Sequence, residues 1–457
     1  MGKKNAEGTK RKAKSGTLPG YYIPAWSAQA VSYAIAFLLL GNITYYCTNG
    51  IGMNPAVVGA ILLVSKLFDG VTDLIAAVVI ERTRTRWGKV RPYVLLMVAA
   101  WVFIILLFST PNFGTAGKVF YIFVMYFMAN SVCITLVNGA EPVHMARSLK
   151  NPEDSSTVLS ISGLIASIAA TVVGIIFPLL IASVSVTEHG WTKIALLLGV
   201  PCMILSYFRF ALIKERDDCA EAETSGTEKF GFRDMIEVVA SNSHVLILVL
   251  VQILANVFSG LGSGVGTYYF QYIMGDISLG SLVGLTSIIG MMTLLFVPAL
   301  IKRSSVKKVM QAGILLGLAG NIIRTFPNLP MLMVGNLLTS IAVIPTGMLL
   351  PSLLIDCMDY NEWKTGKRVE AIFGSLNAFS MKLGSGISSV LVGAVMAMTG
   401  FDAQLDVQNA ATNAGIIALY AVIPAAMFLI MFAALRRYRI DQEMPRVREE
   451  LQIRRNG

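Results

Sequence analysis

Charged residues are scarce in this sequence. Asp, Glu, Lys and Arg together make up 14% of the 457 residues, whereas soluble domains carry about 25%. Hydrophobic residues make up 55%, and the mean hydropathy is +0.67. This composition excludes an ordinary soluble domain and predicts a membrane protein.

Cysteine is also scarce. The five cysteines are odd in number and scattered, and no two of them have the spacing of metal ligands, so we interpret them as structural. No combination of Ser, Cys, His and Asp forms a recognisable nucleophilic set, so we do not expect an enzyme or a cofactor.

The net charge of +10 comes from basic residues in short loops between apolar runs. We therefore expect the partner to be the lipid bilayer, and no nucleic acid.

Twelve apolar segments can be placed along the chain, and each is about long enough to cross a bilayer as a helix. Helices are expected because lipid offers no hydrogen-bond partners to the backbone. The sequence therefore predicts an all-α membrane protein. The predicted segments are 25–48, 55–80, 92–110, 119–146, 157–184, 191–213, 243–273, 280–301, 309–327, 331–358, 370–399 and 412–435.

Basic residues set the predicted orientation. Most of the 37 Lys and Arg residues lie in the two termini and in alternate loops, and the positive-inside rule then predicts that both termini are cytoplasmic, in the plasma membrane. Two halves of six helices joined by a cytoplasmic linker are typical of the major facilitator fold, whose solute sites lie between the halves. The predicted divisions are a basic tail (1–20), two bundles (21–213 and 243–436), a linker (214–242) and a C-terminal tail (437–457).

Two carboxylates stand inside the second apolar segment. Asp69 and Asp73 are four residues apart, so a helix places them on one face. Asp69 lies about 20 Å from the start of the segment, near the bilayer centre. Each carboxylate there costs about 2.5–3.5 kcal/mol to insert, and such residues usually mark an ion path. Lys66, one turn away, leaves open a purely structural ion pair.

Three stretches of the sequence are distinctive: Asp69–Asp73 with Arg82–Pro92, Thr135–Asn138, and Asp356–Glu370 with Lys382. Together they resemble the glycoside–pentoside–hexuronide:cation symporters, the family that includes melibiose permease. The resemblance covers about residues 21–440. It implies a twelve-helix transporter of the major facilitator superfamily that moves a sugar or glycoside-like solute together with sodium or a proton by alternating access.

The resemblance also implies where the coupling cation binds. Its positions correspond to Asp69, Thr72, Asp73 and Thr135, of which Asp69 and Asp73 would be the metal ligands if sodium is used. Carboxylate and hydroxyl oxygens suit a hard cation. A proton would instead require one aspartate to become protonated beside its like-charged neighbour. The choice between sodium and a proton stays open.

The solute positions implied by the resemblance are Tyr33, Asn138 and Lys382. Tyr33 and Asn138 stand where well-known members have aspartates, which points to a solute other than a galactoside. Lys382 is retained; it can bridge the aspartates to the solute, bind an anionic group, or pair statically. Two alternatives stay open, namely a lysolipid or organic anion on the same scaffold, and a non-transporting membrane sensor or scaffold.

Several further charged residues are candidates for gating or coupling. Glu141 and His144, three residues apart, form either a proton-accepting pair or a solvated helix end. The basic loop 82–91 is expected either to pair with acidic groups of the other half or to bind anionic lipid. A run of aromatic residues, Tyr268, Tyr269, Phe270 and Tyr272, predicts an outer aromatic belt. The gating candidates are Lys66, Glu141, Arg82, Arg84, Arg86, Arg91, Asp356, Asp359 and Glu362.

Overall fold

A computed structural model describes residues 19–149, 152–184, 189–215, 243–365 and 370–456. Regular structure in these ranges is helical, apart from one isolated bridge between Thr85 and Gly88. The helices are α1 Tyr22–Gly50, α2 Pro55–Arg82, α3 Arg91–Leu107, α4 Thr115–Ser148, α5 Pro152–Val184, α6 Gly190–Leu212, α7 Ser243–Ile273, α8 Leu279–Leu295 with Val297–Arg303, α9 Val306–Ile323, α10 Leu329–Thr365, α11 Glu370–Met398, α12 Ala410–Arg437 and α13 Ile440–Asn456.

The helices are consistent with the predicted twelve spans. Among the described residues, nine helices are long and apolar enough to cross a membrane, and α8, which bends by 46°, makes a tenth. α2 and α3 complete the set. Within the described residues, the first part of α2, Pro55–Lys66, and the whole of α3 are shorter apolar helices.

The predicted tails and linker fall mostly outside the described residues, namely 1–18 and 216–242. The predicted C-terminal tail is an exception, since most of it forms α13. Met444, Val447 and Leu451 are buried there, where α13 packs against the end of α10. Trp363 of α10 donates a hydrogen bond from Nε1 to Glu450 Oε2 of α13 at 2.6 Å.

The two halves, α1–α6 and α7–α12, meet along three helix pairs: α2 with α11, α5 with α8, and α1 with α7. Glycines let α2 and α11 approach closely, as small residues do between membrane helices. A Cβ atom added to Gly59 would lie 3.2 Å from the Cα of Gly393. Larger side chains at this crossing would push the halves apart.

The contact between α1 and α7 closes the end of the molecule opposite the basic loop 82–91; we call these the closed end and the basic end. Both helices carry a π-helical turn there, at Tyr46–Gly50 and Tyr269–Ile273. Three side-chain hydrogen bonds link the two helices, joining Asn42 to Thr267 at 2.8 Å, Thr48 to Tyr268 at 2.5 Å, and Asn49 to Tyr272 at 2.5 Å.

The predicted outer aromatic belt is therefore wrong for this part of α7. Tyr268 and Tyr269 are fully buried. The Tyr268 hydroxyl finds its partner in the other half rather than in the lipid headgroups, and the Tyr269 ring stacks on Tyr420 of α12 at a centroid distance of 4.2 Å. Of the residues predicted to form the belt, Tyr268 and Tyr272 instead bond α1 of the other half.

Candidate functional site

A cavity of about 590 Å³ lies between the two halves. Helices α1, α2 and α4 of the N-terminal half form one wall of the cavity, which we call the N wall. Helices α7 and α11 of the C-terminal half form the other, the C wall. From the closed end it extends toward the basic end as far as Ala76, Gly139 and Met381. This cavity holds most of the predicted cation and solute residues.

Asp69 is buried in the N wall, with 1% of its surface exposed. Its Oδ2 atom accepts a hydrogen bond from Asn130 Nδ2 at 3.2 Å and lies 3.4 Å from Lys66 Nζ. Its Oδ1 atom is also buried, but has no hydrogen-bond partner among the described residues. Buried carboxylate oxygens are normally satisfied, so Oδ1 is a vacant acceptor suited to a cation.

Asp73 lies one turn along α2, and 43% of its side chain is exposed. Its Oδ2 atom contacts the Nζ atom of Lys382, which comes from α11 in the other half. Lys382 Nζ also donates to the Asp69 carbonyl oxygen at 3.2 Å. Lys382 therefore bridges both aspartate positions across the interface of the halves, while the partly exposed Asp73 stays reachable from the cavity.

Thr72 and Thr135 both lie beside the aspartates, but only Thr135 lines the cavity. Thr135 is buried and lines the cavity, and its hydroxyl donates to the Asn130 carbonyl oxygen at 3.4 Å. The Thr72 hydroxyl donates to the Asp69 carbonyl oxygen of its own helix at 3.0 Å. Threonine commonly bonds the preceding helical turn in this way, and this carbonyl oxygen is the same one that accepts from Lys382 Nζ.

Asn130 was missed by the sequence reasoning. It lies in the π-helical stretch of α4, Phe127–Ile134. The wider turn places residues five apart on nearly one face, so Asn130 and Thr135 both face α2. Such π-helical insertions are frequent at functional sites. The available signal was the polar pair Asn130-Ser131 inside a long apolar segment; Ser131 Oγ lies 3.1 Å from Ser65 Oγ.

The site can provide both charge and neutral oxygen to a cation. No group of three or more His, Cys, Asp or Glu side chains within the described residues is placed to hold a metal ion. A sodium ion at Asp69 and Asp73 would therefore need additional neutral ligands, and the Thr135 hydroxyl and the Asn130 amide are candidates that line the N wall. Hard cations accept such oxygen mixtures.

Tyr33 and Asn138 also line the N wall, nearer the basic end. Asn138 Nδ2 donates to the Tyr33 hydroxyl at 3.0 Å. The C wall opposite presents small polar residues, among them Asn256, Ser259 and Ser385. The three predicted solute residues therefore border the same cavity as the cation site.

Glu141 has fixed partners. Its Oε1 atom accepts from Trp26 Nε1 at 2.8 Å, and its Oε2 atom accepts from Arg209 Nη1 at 2.7 Å. Arg209 is buried over the Trp26 ring, 3.7 Å from its centroid, and also bonds His144 Nδ1 at 2.9 Å. The predicted pairing of Glu141 with His144 is therefore mediated by Arg209. A solvated helix end is wrong, because His144 is fully buried.

The predicted basic cluster is partly engaged within its own half. Arg91 donates from Nε and Nη2 to the carbonyl oxygen of Phe210 at 3.0 and 2.7 Å, and its guanidinium lies 4.6 Å from the centroid of that ring. Arg86 lies over the adjacent Trp87 ring. Arg82 and Arg84 are exposed on the loop. Arg91 thus fastens α3 to the end of α6.

Glu215, which the sequence reasoning did not single out, anchors this loop. Its carboxylate accepts hydrogen bonds from the backbone N–H groups of Lys89, Val90 and Arg91 at 3.0, 2.7 and 2.7 Å, and from Arg147 Nε at 2.8 Å. Burial raises the pKa of Glu215, but these hydrogen bonds together outweigh burial and hold the pKa below its ordinary value.

Gly88 is required beside this carboxylate. Its φ of +116° is a conformation that other residues rarely adopt, and a Cβ atom there would lie 2.5 Å from Glu215 Oε1. The Trp-Gly-Lys motif of the basic loop is thus explained by local packing around an anion at the start of α3.

The remaining gating candidates, Asp356, Asp359 and Glu362, lie near the basic end of α10, on the helix that packs against α13. Asp356 is buried, and Asp359 and Glu362 are half-buried. They do not line the central cavity. Their position suits a role at the basic end of the C-terminal half rather than at the cation site.

Comparison with known proteins gives a consistent result. The solved structure of the nucleoside transporter NupG superposes with a TM-score of 0.59 at 16% identity, covering 90% of this chain and 98% of that one. An inward-facing, occupied bacterial homologue of the lysosomal transporter Spinster gives 0.62 at 10% identity, covering 93% and 97%. At these identities the likeness shows the fold alone, and it supports the predicted major facilitator architecture.

Closer relatives come from the curated proteins. The isoprimeverose transporter of Lactiplantibacillus pentosus is 27% identical over 428 residues, covering 92% of this chain and 88% of the relative. The uncharacterized symporter YjmB of Bacillus subtilis is 30% identical over 421 residues, covering 89% of each. The profile of the family described as MFS/sugar transport protein matches residues 20–442. The sequence prediction is thereby confirmed: this chain belongs to the sugar transport family of the major facilitator superfamily that comprises the glycoside–pentoside–hexuronide:cation symporters, and so to transporters rather than enzymes.

Proposed function

We propose that this chain is a symporter that couples a sodium ion or a proton to the uptake of a sugar or glycoside-like solute. The observation that carries this proposal is the placement of Asp69 and Asp73 on one cavity wall, bridged by Lys382 from the other half. A cation at the aspartates competes directly with a lysine that belongs to the opposite half. Its binding is therefore linked to the relation between the halves.

The positions of the basic residues support both termini lying on the cytoplasmic side of the plasma membrane. In that orientation the closed end faces outward, and the solute would reach the cavity from the cytoplasmic side. Alternating access would require the three α1–α7 hydrogen bonds to break. Each such bond contributes only about 1 kcal/mol, so the closed end can open at moderate cost.

The walls of the cavity favour a solute rich in hydroxyl groups. Asn138, Asn256, Ser259 and Ser385 offer donors and acceptors on both sides. A lipid-like solute would leave the Ser259 and Ser385 hydroxyls without a partner, at a cost of about 1–3 kcal/mol each. Relatives named as an isoprimeverose transporter and a glucuronide carrier homologue support a sugar-like solute. The presence of both aspartates argues against a non-transporting scaffold.

The proposal is tested with purified protein in proteoliposomes. Uptake of a panel of radiolabelled sugars is measured with an imposed gradient of sodium, of protons, or of neither. We expect at least one sugar to accumulate only when the cation gradient points inward. Because linkage is reciprocal, that sugar should also raise the affinity for the cation. Sugar uptake that is indifferent to both gradients would contradict coupling.

A further inference from the structure

A second cavity, also of about 590 Å³, lies at the closed end, and we call it the vestibule. Along α7, the last described residue that borders the central cavity is Gly264, and the first that borders the vestibule is Gln271. Thr267 and Tyr268, which bond α1, lie between them. The vestibule is therefore separated from the central cavity by the contact that closes this end of the protein.

Both halves build the vestibule. The N-terminal half provides the end of α1, the chain after α3 and the start of α6, and the C-terminal half provides the end of α7 and the loop between α11 and α12. One of the three α1–α7 hydrogen bonds, from Asn49 Nδ2 to the Tyr272 hydroxyl, lies in its lining. Because opening of this end would move the halves apart, the site is complete only while the end is closed.

Aromatic rings form much of the vestibule lining. The rings of Phe108 and Trp191 stack with their centroids 5.7 Å apart, and Tyr46 packs against both. Tyr45 and Tyr272 also border the cavity. Aromatic faces carry partial negative charge, which suits the weakly positive C–H groups of a sugar ring. The volume lies within the roughly 300–1,000 Å³ of small-molecule sites, which typically combine aromatic side chains with a few polar groups.

The acidic residues of the vestibule are acceptors for hydroxyl groups. Asp276 and Asp406 border it and are exposed. One Asp276 oxygen accepts from the N–H of Ser278 at 2.8 Å, whereas no described residue donates a hydrogen bond to Asp406. Ionised carboxylates accept strong hydrogen bonds and cannot donate them. They therefore favour a ligand that presents hydroxyl groups beside an apolar ring face, which is the chemistry of a sugar.

We infer that the vestibule is a second binding site for the sugar-like solute, and that solute bound there keeps the closed end closed. This inference goes beyond the proposed function and rests on its orientation, in which the vestibule faces outward. A ligand shifts an equilibrium toward the state that it binds more tightly, and only the closed arrangement has the complete site. External solute at high concentration therefore slows its own uptake, because it delays the return of the empty carrier to the outward-open state.

The first experiment separates the vestibule from the central cavity by cross-linking the closed end. Asn42→Cys and Thr267→Cys replace a hydrogen-bonded pair that borders neither cavity. When a short bifunctional thiol reagent joins them in right-side-out membrane vesicles, external solute reaches only the vestibule. The probes are labelled glucose, galactose, xylose and their methyl glycosides. We expect at least one probe to bind the cross-linked protein from outside, while its uptake is abolished.

A matched pair of variants in the cross-linked protein locates this binding. Asp406 and Asp402 are both exposed carboxylates of the α11–α12 loop, but only Asp406 borders the vestibule. Asp402 Oδ1 accepts from the N–H of Gln404 at 2.9 Å, a bond that asparagine can keep. We expect Asp406→Asn to weaken external binding by at least about fivefold and Asp402→Asn to leave it unchanged. Equal effects of the two variants, or no external binding of any probe, would overturn the vestibule site.

The second experiment measures the initial uptake rate against the external concentration of a probe that is transported, under an inward cation gradient. In right-side-out vesicles we expect the rate to pass through a maximum and then to decline. Asp406→Asn should move this maximum to a concentration at least about fivefold higher, with the KM at low concentration within about twofold of wild type. In inside-out vesicles no decline is expected, because external solute then meets the central cavity first. Simple saturation in both orientations would overturn the inhibitory role.

The outcomes separate this inference from the proposed function. External binding to the cross-linked protein without cation-driven uptake of any sugar would count against the symporter proposal and leave the vestibule site standing. Cation-driven uptake that saturates without decline, together with no binding to the cross-linked protein, would overturn this inference and leave the symporter proposal intact.

Discussion

The two walls of the central cavity differ in chemistry although both come from six-helix halves of similar design. The N wall carries Lys66, Asp69 and Asp73 together with the amide of Asn130. Among its described residues, the C wall carries serines, glycines, Asn256 and one charged residue, Lys382. Most of the buried charged side chains thus lie on the N-terminal half, whereas the small hydroxyl side chains lie on the C-terminal half.

This difference suggests a division of labour. The N wall has the carboxylates that hold a cation, and the C wall has the hydroxyls that can follow the shape of a sugar. Lys382 is the exception that joins the two, because it reaches from α11 to both aspartate positions on α2. The division can be tested by changing one wall and measuring the affinity assigned to the other.

The largest effect is expected from Asp69→Asn. The buried carboxylate loses its charge while the size of the side chain is kept, and removal of one member of a buried charged contact costs about 2–5 kcal/mol. We expect the cation concentration for half-maximal stimulation of uptake to rise by about 100-fold or more. Solute binding measured without the cation should change by less than about threefold. Unchanged cation stimulation would remove Asp69 from the cation site.

A smaller effect on the same wall is expected from Asn130→Ala. It removes the hydrogen bond that Asn130 Nδ2 donates to Asp69 Oδ2. Hydrogen bonds to charged groups contribute about 1.5–3 kcal/mol, part of which water recovers, so we expect the cation affinity to fall by about 10-fold. Asn138→Ala is the matched control, since it removes an amide of the same helix that bonds Tyr33 instead of Asp69. Equal effects of both variants on the cation would break the assignment.

The C wall is tested with Ser385→Ala. The Ser385 hydroxyl borders the cavity and makes no hydrogen bond to another described residue, so its removal leaves the empty protein unstrained. Loss of one neutral hydrogen bond to the solute, about 1 kcal/mol, predicts a rise in KM of about fivefold at saturating cation. The cation affinity in the absence of solute should not move. A change confined to the cation affinity would reverse the roles of the two walls.

The helices and the acidic pair were predictable from the sequence because their signals are local. An apolar run about 20 residues long defines a span, and the spacing of Asp69 and Asp73 fixes one helix face. The predicted segment 243–273 coincides with α7. Even Lys382 was identified, because it is a basic residue in the middle of a predicted span and matches the family pattern.

The remaining features depend on contacts that no local pattern reveals. Asn130 reaches Asp69 because α4 has a π-helical stretch, and the sequence carries no period that distinguishes it from an ordinary helix. Tyr268 was predicted to lie at the membrane interface. Its hydrogen-bond partner, Thr48, lies 220 residues away in the sequence, so no local pattern indicated that this hydroxyl is buried. Glu215 lies at the beginning of the predicted charged linker. Its sequence context did not indicate that its carboxylate accepts the backbone N–H groups at the start of α3.

The last test of the difference between the halves measures stability instead of affinity, and it concerns how each half is held together at the basic end. The N-terminal half uses the buried Glu215 carboxylate, whereas the C-terminal half uses the apolar face of α13.

Because the pKa of Glu215 is lowered in the folded protein, the stabilisation by its charge is present above the ordinary pKa and is lost as the pH falls through the lowered pKa. Glu215→Gln should therefore be less stable than wild type by about 1–2 kcal/mol at pH 7, and this difference should shrink as the pH falls below the ordinary pKa of a glutamate, about 4.3. Met444→Ala truncates a buried side chain of α13. This variant should instead lower the stability by an amount that does not change with pH. Thermal unfolding of the solubilised protein across this pH range measures both, and a Glu215→Gln deficit that stays constant with pH would show that the carboxylate charge does not hold the loop.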